Sequence, residues 1–405
     1  MRSAVLFLLC LPSLVLAQSS VVLISIDGFS QQYLDKYQPK NILKLAKNGV
    51  VADALIPVFP TKTFPNHLSI VTGKYPAEHG IIHNKFYNPI DDSMYKVGRG
   101  KTNPNWLNAL PIWTVAELQG IKAATYFWPE SEATLAGVTP SYYFKYSDDT
   151  PNKVRVEQII KWLKMPIDTR PKFITGYFSS VDTTGHVYGP DSTEVVKAIN
   201  EVDNLIGLLD EKISNEVGYD VDIILVSDHG MVNAGNSHKL PWKSLFKTST
   251  TNDSIKVVNG QTQLLIHSQS SKALKHIQSQ LDKQAKKYPK AFSVYLKGEF
   301  PKHWYFDSNL SVIPDLIVNA HPPFTFSDEN SHSGTATHGY DVRDDKDLEA
   351  IFIAKGPSFK KNTQIAAFSN TNVFALLIHL LSLEPPSHMQ SDITPLIPAL
   401  KNYQP

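Results

Sequence analysis

The chain has 405 residues, 42% of them hydrophobic and 19% charged, with a formal net charge of +1. That apolar content supports buried cores and excludes global disorder. At about 100–200 residues per domain, the length fits two to three domains or one large α/β domain with insertions. The 39 basic and 38 acidic residues leave no electrostatic footprint for a nucleic-acid polymer or an anionic membrane. Any phosphate chemistry must come from a local site.

Residues 1–17 read as a signal peptide. Arg2 is a short positive region, Ala4 to Leu11 is apolar, and Val15-Leu16-Ala17 resembles a small-residue cleavage site. The apolar run is too short and too Pro-interrupted for a good membrane span. The expected product starts at Gln18, has no membrane span and is soluble in a periplasm or outside the cell. Cys10, the only cysteine, leaves with this segment. Disulfides and thiolate metal sites are then excluded, which suits a bacterial periplasm better than an animal extracellular space.

Four apolar runs follow: Val21 to Ile26 ending at Asp27, Phe173 to Phe178 leading to Asp182, Val221 to Val226 ending near Asp228 and His229, and Ala350 to Ala354. Continuous β-branched runs of this kind read as strands buried on both faces of a parallel sheet. Between them, Glu194 to Asp210 puts Val195, Ile199, Val202, Leu205 and Leu209 on one helical face. Asn372 to Leu383 is a second helix, stopped by Pro385-Pro386. The alternation predicts a doubly wound α/β core, in which ligands bind outside the carboxyl ends of the strands. Residues 18–239 and 336–405 are expected to form that core. Residues 240–335 read as an α+β insertion or cap, with a helix over Lys272 to Lys287 and strands at Gln263 to His267 and Phe292 to Leu296.

Four short clusters carry candidate chemistry. Asp182-Thr183-Thr184-Gly185-His186 places a carboxylate and an imidazole four apart, with a glycine expected to make the turn. Ser227-Asp228-His229-Gly230 follows a buried strand, Asp27-Gly28 follows the first strand, and Thr337-His338-Gly339-Tyr340 is a fourth. Singly, each also reads as a cap, a turn or a loop histidine. Together they bring Asp and His, without cysteine, to strand-end loops, a composition that suits one or two Zn²⁺-like ions. Thr63 is the candidate nucleophile. Pro65 fits the first turn of a helix through Leu68, Ile70 and Val71, and a hydroxyl at a helix N-terminus sits in a field that favours its alkoxide and binds phosphate. A plain helix N-cap is the structural alternative.

The ordered motifs resemble the nucleotide pyrophosphatase/phosphodiesterase family of the alkaline phosphatase superfamily. They run from Leu23-Ile24-Ser25-Ile26-Asp27-Gly28-Phe29 through Phe59-Pro60-Thr61-Lys62-Thr63-Phe64-Pro65-Asn66-His67, Val71-Thr72-Gly73-Lys74-Tyr75-Pro76 and His79-Gly80-Ile81. They continue with Asp182 to His186 plus Gly189-Pro190, Val226 to Met231 and Thr337 to Asp341. The look is closest to single-domain bacterial members. The resemblance implies an alkaline-phosphatase-like fold and two Zn²⁺ per chain, with Mn²⁺ or Fe as substitutes. One ion would be held by Asp182, His186 and His338. The other would be held by Asp27, Asp228 and His229, with Thr63 coordinating it as nucleophile. Asn84 matches a phosphate-contacting asparagine, acting with the backbone N–H of Phe64. His67, His79, His83 and His332 read as structural, and His238 is unassigned.

The implied reaction is hydrolysis of nucleotide phosphodiester and pyrophosphate bonds through a phospho-threonine, releasing a nucleoside 5′-monophosphate. Phe64 and Tyr143 are expected to stack the base, and Lys62 either meets a distal phosphate or stays solvated. No arginine stands beside Thr63 to balance a monoester dianion. A phosphocholine-type lipid diesterase, a phosphonoacetate-hydrolase-like enzyme and a non-enzymatic periplasmic phosphate-binding protein are the alternatives. The expected partner is a small nucleotide or phosphodiester.

Overall fold

A computed structural model of the chain describes residues 19–247, 255–328 and 334–403. The expected signal peptide, the mature terminus at Gln18, and His332 lie outside the described residues. No helix among the described residues is long and apolar enough to cross a membrane.

Two sheets organise the chain. In chain order their strands are β1 (Ser20–Ile26), β2 (Val50–Ala52), β3 (Ala123–Tyr126), β4 (Tyr142–Tyr143), β5 (Phe173–Phe178), β6 (Val221–Val226), β7 (Lys256–Asn259), β8 (Gln263–His267), β9 (Phe292–Leu296), β10 (Leu316–Ala320), β11 (Phe352–Lys355) and β12 (Thr363–Ile365). The central sheet has eight strands in the order β12-β2-β11-β6-β1-β5-β3-β4. β1 pairs in parallel with β5 and β6, and β5 with β3.

Every residue of β1, β5 and β6 is buried, because helices cover both faces. Side chains alternate across a strand, so Val21 and Leu23 enter one core while Val22, Ile24 and Ile26 enter the other. The first core receives helix α1 (Thr63–Thr72) and, near the C-terminus, Asn372–Leu380; the second receives Asn152–Leu163 and Thr193–Glu216. Each fully buried aliphatic side chain contributes about 1.5–3 kcal/mol. In Thr193–Glu216 the buried face uses Ile206, while the expected Leu205 is only half-buried.

The fourth apolar run departs from expectation. β11 is antiparallel to both neighbours, β6 and β2. Its first residue, Phe352, lies beside Val226 at the end of β6. The carboxyl edge of β6 is therefore reached by the segment entering β11, and that segment carries His338.

Strands β7 to β10 form a fully antiparallel sheet in the order β7-β8-β10-β9. One face meets Ile277 and Leu281 of helix Ser271–Lys287, and the other sends Val258, Leu265 and Ile317 into the first core.

Candidate active site

Four chain segments meet at the carboxyl edge of the central sheet. Asp27 directly follows β1, and Asp228 and His229 follow β6. Gly28 adopts φ +70°, and a Cβ there would lie 2.8 Å from Asp182, so only glycine lets the two segments approach. Asp182 and His186 do not flank a glycine turn. They lie in helix Ser180–Tyr188, where an i,i+4 spacing puts both side chains on one face. His338 follows a two-residue strand paired with Val232–Asn233 and is buried.

Asp182 Oδ1 is 3.4 Å from His186 Nε2 and 3.6 Å from His338 Nε2. His229 Nε2 is 3.6 Å from Asp27 Oδ1 and 2.9 Å from Asp228 Oδ2. Candidate ligand atoms of Asp27, Asp228 and His229, and of Asp182, His229 and His338, each lie within 4.8 Å of one another. The first triad is buried throughout, whereas the second opens toward His186, whose side chain is 33% exposed.

The tautomers follow from backbone partners. The Nδ1–H groups of His186, His229 and His338 donate to the carbonyls of Ala336, Gly230 and Thr61 at 3.0, 3.0 and 2.7 Å. A carbonyl only accepts, so each neutral ring turns an Nε2 lone pair toward a carboxylate. Asp27 Oδ1, Asp182 Oδ1 and Asp228 Oδ2 are buried without a hydrogen-bond partner. Partnerless anions facing lone pairs repel unless a cation stands between them. An imidazole pinned at its far nitrogen is also the usual arrangement of a metal ligand.

The titration directions divide: Asp27 and Asp182 respond as carboxylates short of positive charge, whereas Asp228 and His229 respond as an ion pair. Burial, with Asp228 and Asp182 nearby, raises the Asp27 carboxyl well above its ordinary value. Burial raises Asp182 despite His186 and His229. Burial acts to raise Asp228 too, yet His229 and His67 carry it well below the usual range. Burial works against charge on His229, but Asp228 raises its proton affinity. The cluster is short of positive charge, and its residues fit divalent cations.

Thr63 is the first residue of α1, and its Oγ1 lies 3.3 Å from His229 Nε2. The N-cap position falls to Lys62, so Thr63 is not itself the cap. Asn84 Oδ1 accepts the Phe64 N–H at 3.0 Å. That N–H, expected to face substrate oxygens, is thus already engaged, and the asparagine is held by its carbonyl end. Lys62 is buried and not solvated: its Nζ donates to the His338 carbonyl at 2.8 Å, and burial lowers its pKa to about 8. Gly339, at φ +114°, makes room, since a Cβ there would lie 2.2 Å from Lys62 Cε.

The neighbours of Thr63 line two cavities, Phe64 one and Lys62 the other. One, of about 310 Å³, is walled by Phe64, Trp128, Tyr146 and Tyr177, with Lys101, Glu130, Glu132 and Asp148 among its polar groups. Tyr143 does not line it. Tyr143 is held in edge strand β4 opposite Thr125, and the ring that reaches the cavity is Tyr146. Sequence reasoning missed Tyr146, Trp128 and Tyr177; the aromatic-rich run Tyr142 to Tyr146 was the available signal. The other cavity, of about 580 Å³, includes Lys62, His83, Asn84, Lys85 and His186 on the core side and Gly260, Gln261 and Phe326 on the other. His238 lines neither cavity.

A model of the type I phosphodiesterase / nucleotide pyrophosphatase family matches residues 21–341. The chain is 35% identical over 376 residues to a venom phosphodiesterase of Naja atra, covering 91% of this chain and 45% of that protein. It is 34% identical over 374 residues to human ectonucleotide pyrophosphatase/phosphodiesterase family member 1, covering 90% of this chain and 40% of that one. It therefore spans less than half the length of these two relatives. The structure of murine ectonucleotide pyrophosphatase/phosphodiesterase 5 matches with a TM-score of 0.86 at 26% identity, covering 95% of this chain and 100% of that one. An inactive form of that murine protein in complex with AMP matches with a TM-score of 0.85, at the same identity and coverage. The fold is alkaline-phosphatase-like, and the chain belongs to the type I phosphodiesterase / nucleotide pyrophosphatase family.

Proposed function

We propose that this chain hydrolyses nucleotide phosphodiester and pyrophosphate bonds and releases a nucleoside 5′-monophosphate. The carrying observation is the convergence of three partnerless carboxylate oxygens and three Nε2 atoms beside Thr63, whose neighbour Phe64 walls an aromatic cavity. Asp27, Asp228 and His229 would hold one Zn²⁺ together with Thr63, and Asp182, His186 and His338 the other; Mn²⁺ or Fe would suit the same donors. Such a pair supplies Lewis-acid stabilisation of the attacking and leaving oxygens.

The chain's own residues do the rest. Thr63 Oγ1 forms a bond to phosphorus as the bond to the leaving oxygen breaks, giving a phospho-threonine. Water then cleaves that bond and frees the monophosphate. Asn84, fixed through its carbonyl by Phe64, directs its NH₂ at a non-bridging oxygen. Phe64 and Tyr146 hold the base, where stacking is worth about 1–3 kcal/mol. Lys62 and Lys85 face the cavity on the leaving-group side. Neither cavity is lined by an arginine among the described residues, consistent with an ester carrying less charge than a monoester. Residues 1–17 would direct the chain to a periplasm or the cell exterior.

One observation favours a second reading. Three carboxylates among four rings would also suit a quaternary ammonium, hence a phosphocholine ester. A kinetic panel of a dinucleotide, a nucleoside triphosphate, a phosphocholine ester and a phosphomonoester separates the two. The expected order puts the nucleotides first; a higher kcat/KM for the phosphocholine ester would overturn the nucleotide assignment.

A further inference from the structure

Tyr177 touches both halves of the site. It is the penultimate residue of β5, in register with Ser25 of β1, so it stands beside the strand end from which Asp27 emerges. Its hydroxyl donates to Asp27 Oδ2 at 2.5 Å. The other oxygen, Oδ1, is the partnerless atom facing His229. The same ring is a wall of the aromatic cavity, 6.2 Å between centroids from Tyr146 and 5.3 Å from His67. Its backbone is fixed as well. Arg155 Nη1 donates to the Tyr177 carbonyl at 2.6 Å, while Nη2 donates to the carbonyl of Thr150, just beyond the cavity residues Tyr146 and Asp148.

A carboxylate on a short side chain can rotate and exchange its two oxygens. A hydroxyl fixed to one of them decides which oxygen meets the cation, and groups of this kind tune metal affinity by about 10–100-fold. We infer that Tyr177 is a positioning residue for Asp27: its hydroxyl sets the carboxylate oxygen presented to the ion, while its ring shapes the base cavity. One side chain then ties the geometry of the buried triad to the shape of the specificity cavity. This rests on the two-cation reading above.

Tyr177→Phe is the test, because it keeps the ring and deletes the hydroxyl. Competition against a chelator should show two ions per chain in the unaltered protein. In the variant, one ion should be weakened by about 10–100-fold and the other unchanged. At limiting zinc, kcat should fall by a similar factor with KM for a nucleotide diester within about twofold, and excess zinc should restore the rate. Excess zinc would not repair a merely misfolded variant, and melting of the metal-free forms checks folding directly. Tyr177→Leu should add a rise in KM for nucleotides that a small nitrophenyl diester does not share. Unchanged affinity for both ions in Tyr177→Phe, or a rate loss that excess zinc leaves in place, would overturn the inference. An unaltered chain that held no ion would sink the two-cation reading itself.

Discussion

The two cavities beside Thr63 differ in how the fold builds them. Phe64 faces one and Lys62 the other, so consecutive residues at the start of α1 divide an aromatic space from a basic one. The aromatic cavity is walled by residues near the ends of β3, β5 and the chain after β4. The basic cavity is wider and lies between the core and residues 259–261 and 325–328, next to the second sheet. Stacking needs a rigid slot of fixed width, and a rigid sheet edge supplies one. A charged leaving group needs positive potential more than shape, and a gap between two sheets suffices. With Thr63, the proposed nucleophile, at the divide, one helix would orient both.

The largest effect should come from the divide itself. Thr63→Ala should lower turnover by about 10³-fold or more on every substrate, with the melting temperature little changed because the side chain is only half-buried. Near-normal rates in single-turnover measurements would mean that Thr63 is not the nucleophile.

The metal sites should come next, and unequally. The buried triad of Asp27, Asp228 and His229 is closed to solvent, whereas His186 leaves the other side open. Chelators should therefore remove ions in two phases, the faster from the site of Asp182, His186 and His338. Asp182→Asn should abolish the fast phase and Asp228→Asn the slow one. Elemental analysis during dialysis reads this directly, and a single phase would contradict the division.

Tyr146→Ala should raise KM for nucleotides by about 5- to 150-fold, the equivalent of about 1–3 kcal/mol of stacking, while Tyr143→Ala should leave it unchanged. A small nitrophenyl diester should not distinguish these variants from the parent. Equal losses on both substrates in Tyr146→Ala would mean the ring supports the loop and not the base.

That contrast marks where sequence patterns stopped being informative. Asp27, Asp228 and His229 were legible because each follows a continuous buried run, and a run that long has to end at the sheet edge. Asp182 and His186 were legible as a pair, but their helix was not. Gly185 suggested a turn; in the structure it lies against the Met231 side chain, where a Cβ would come within 3.2 Å. The antiparallel sense of β11 was hidden because an apolar run buried on both faces reads the same in either direction. The choice between Tyr143 and Tyr146 depends on Thr125 pairing with Tyr143 and on Arg155 gripping Thr150. Both are tertiary contacts with no local signature. The tautomers of His186, His229 and His338 likewise depend on carbonyls distant in sequence for two of the three.

The smallest effect concerns His83, in the wall of the basic cavity. Its Nδ1 accepts the Lys85 N–H at 3.2 Å, and its Nε2 is buried without a partner. Burial, reinforced by Lys62, lowers its pKa from 6.5 to about 3. The folded ring stays neutral where the unfolded ring takes up a proton, so between these values the unfolded state binds more protons. Stability from this residue is fully present above about pH 6.5 and is lost as pH falls toward 3, at up to about 1.4 kcal/mol per unit. His83→Asn keeps an acceptor for Lys85 but cannot titrate. In metal-free protein it should flatten the acid side of the melting-temperature profile and leave kcat/KM at neutral pH within about twofold. An unchanged acid slope would mean that His83 takes up its proton without unfolding. The basic cavity would then gain a third positive group in acid, and its contrast with the aromatic one would sharpen as pH falls.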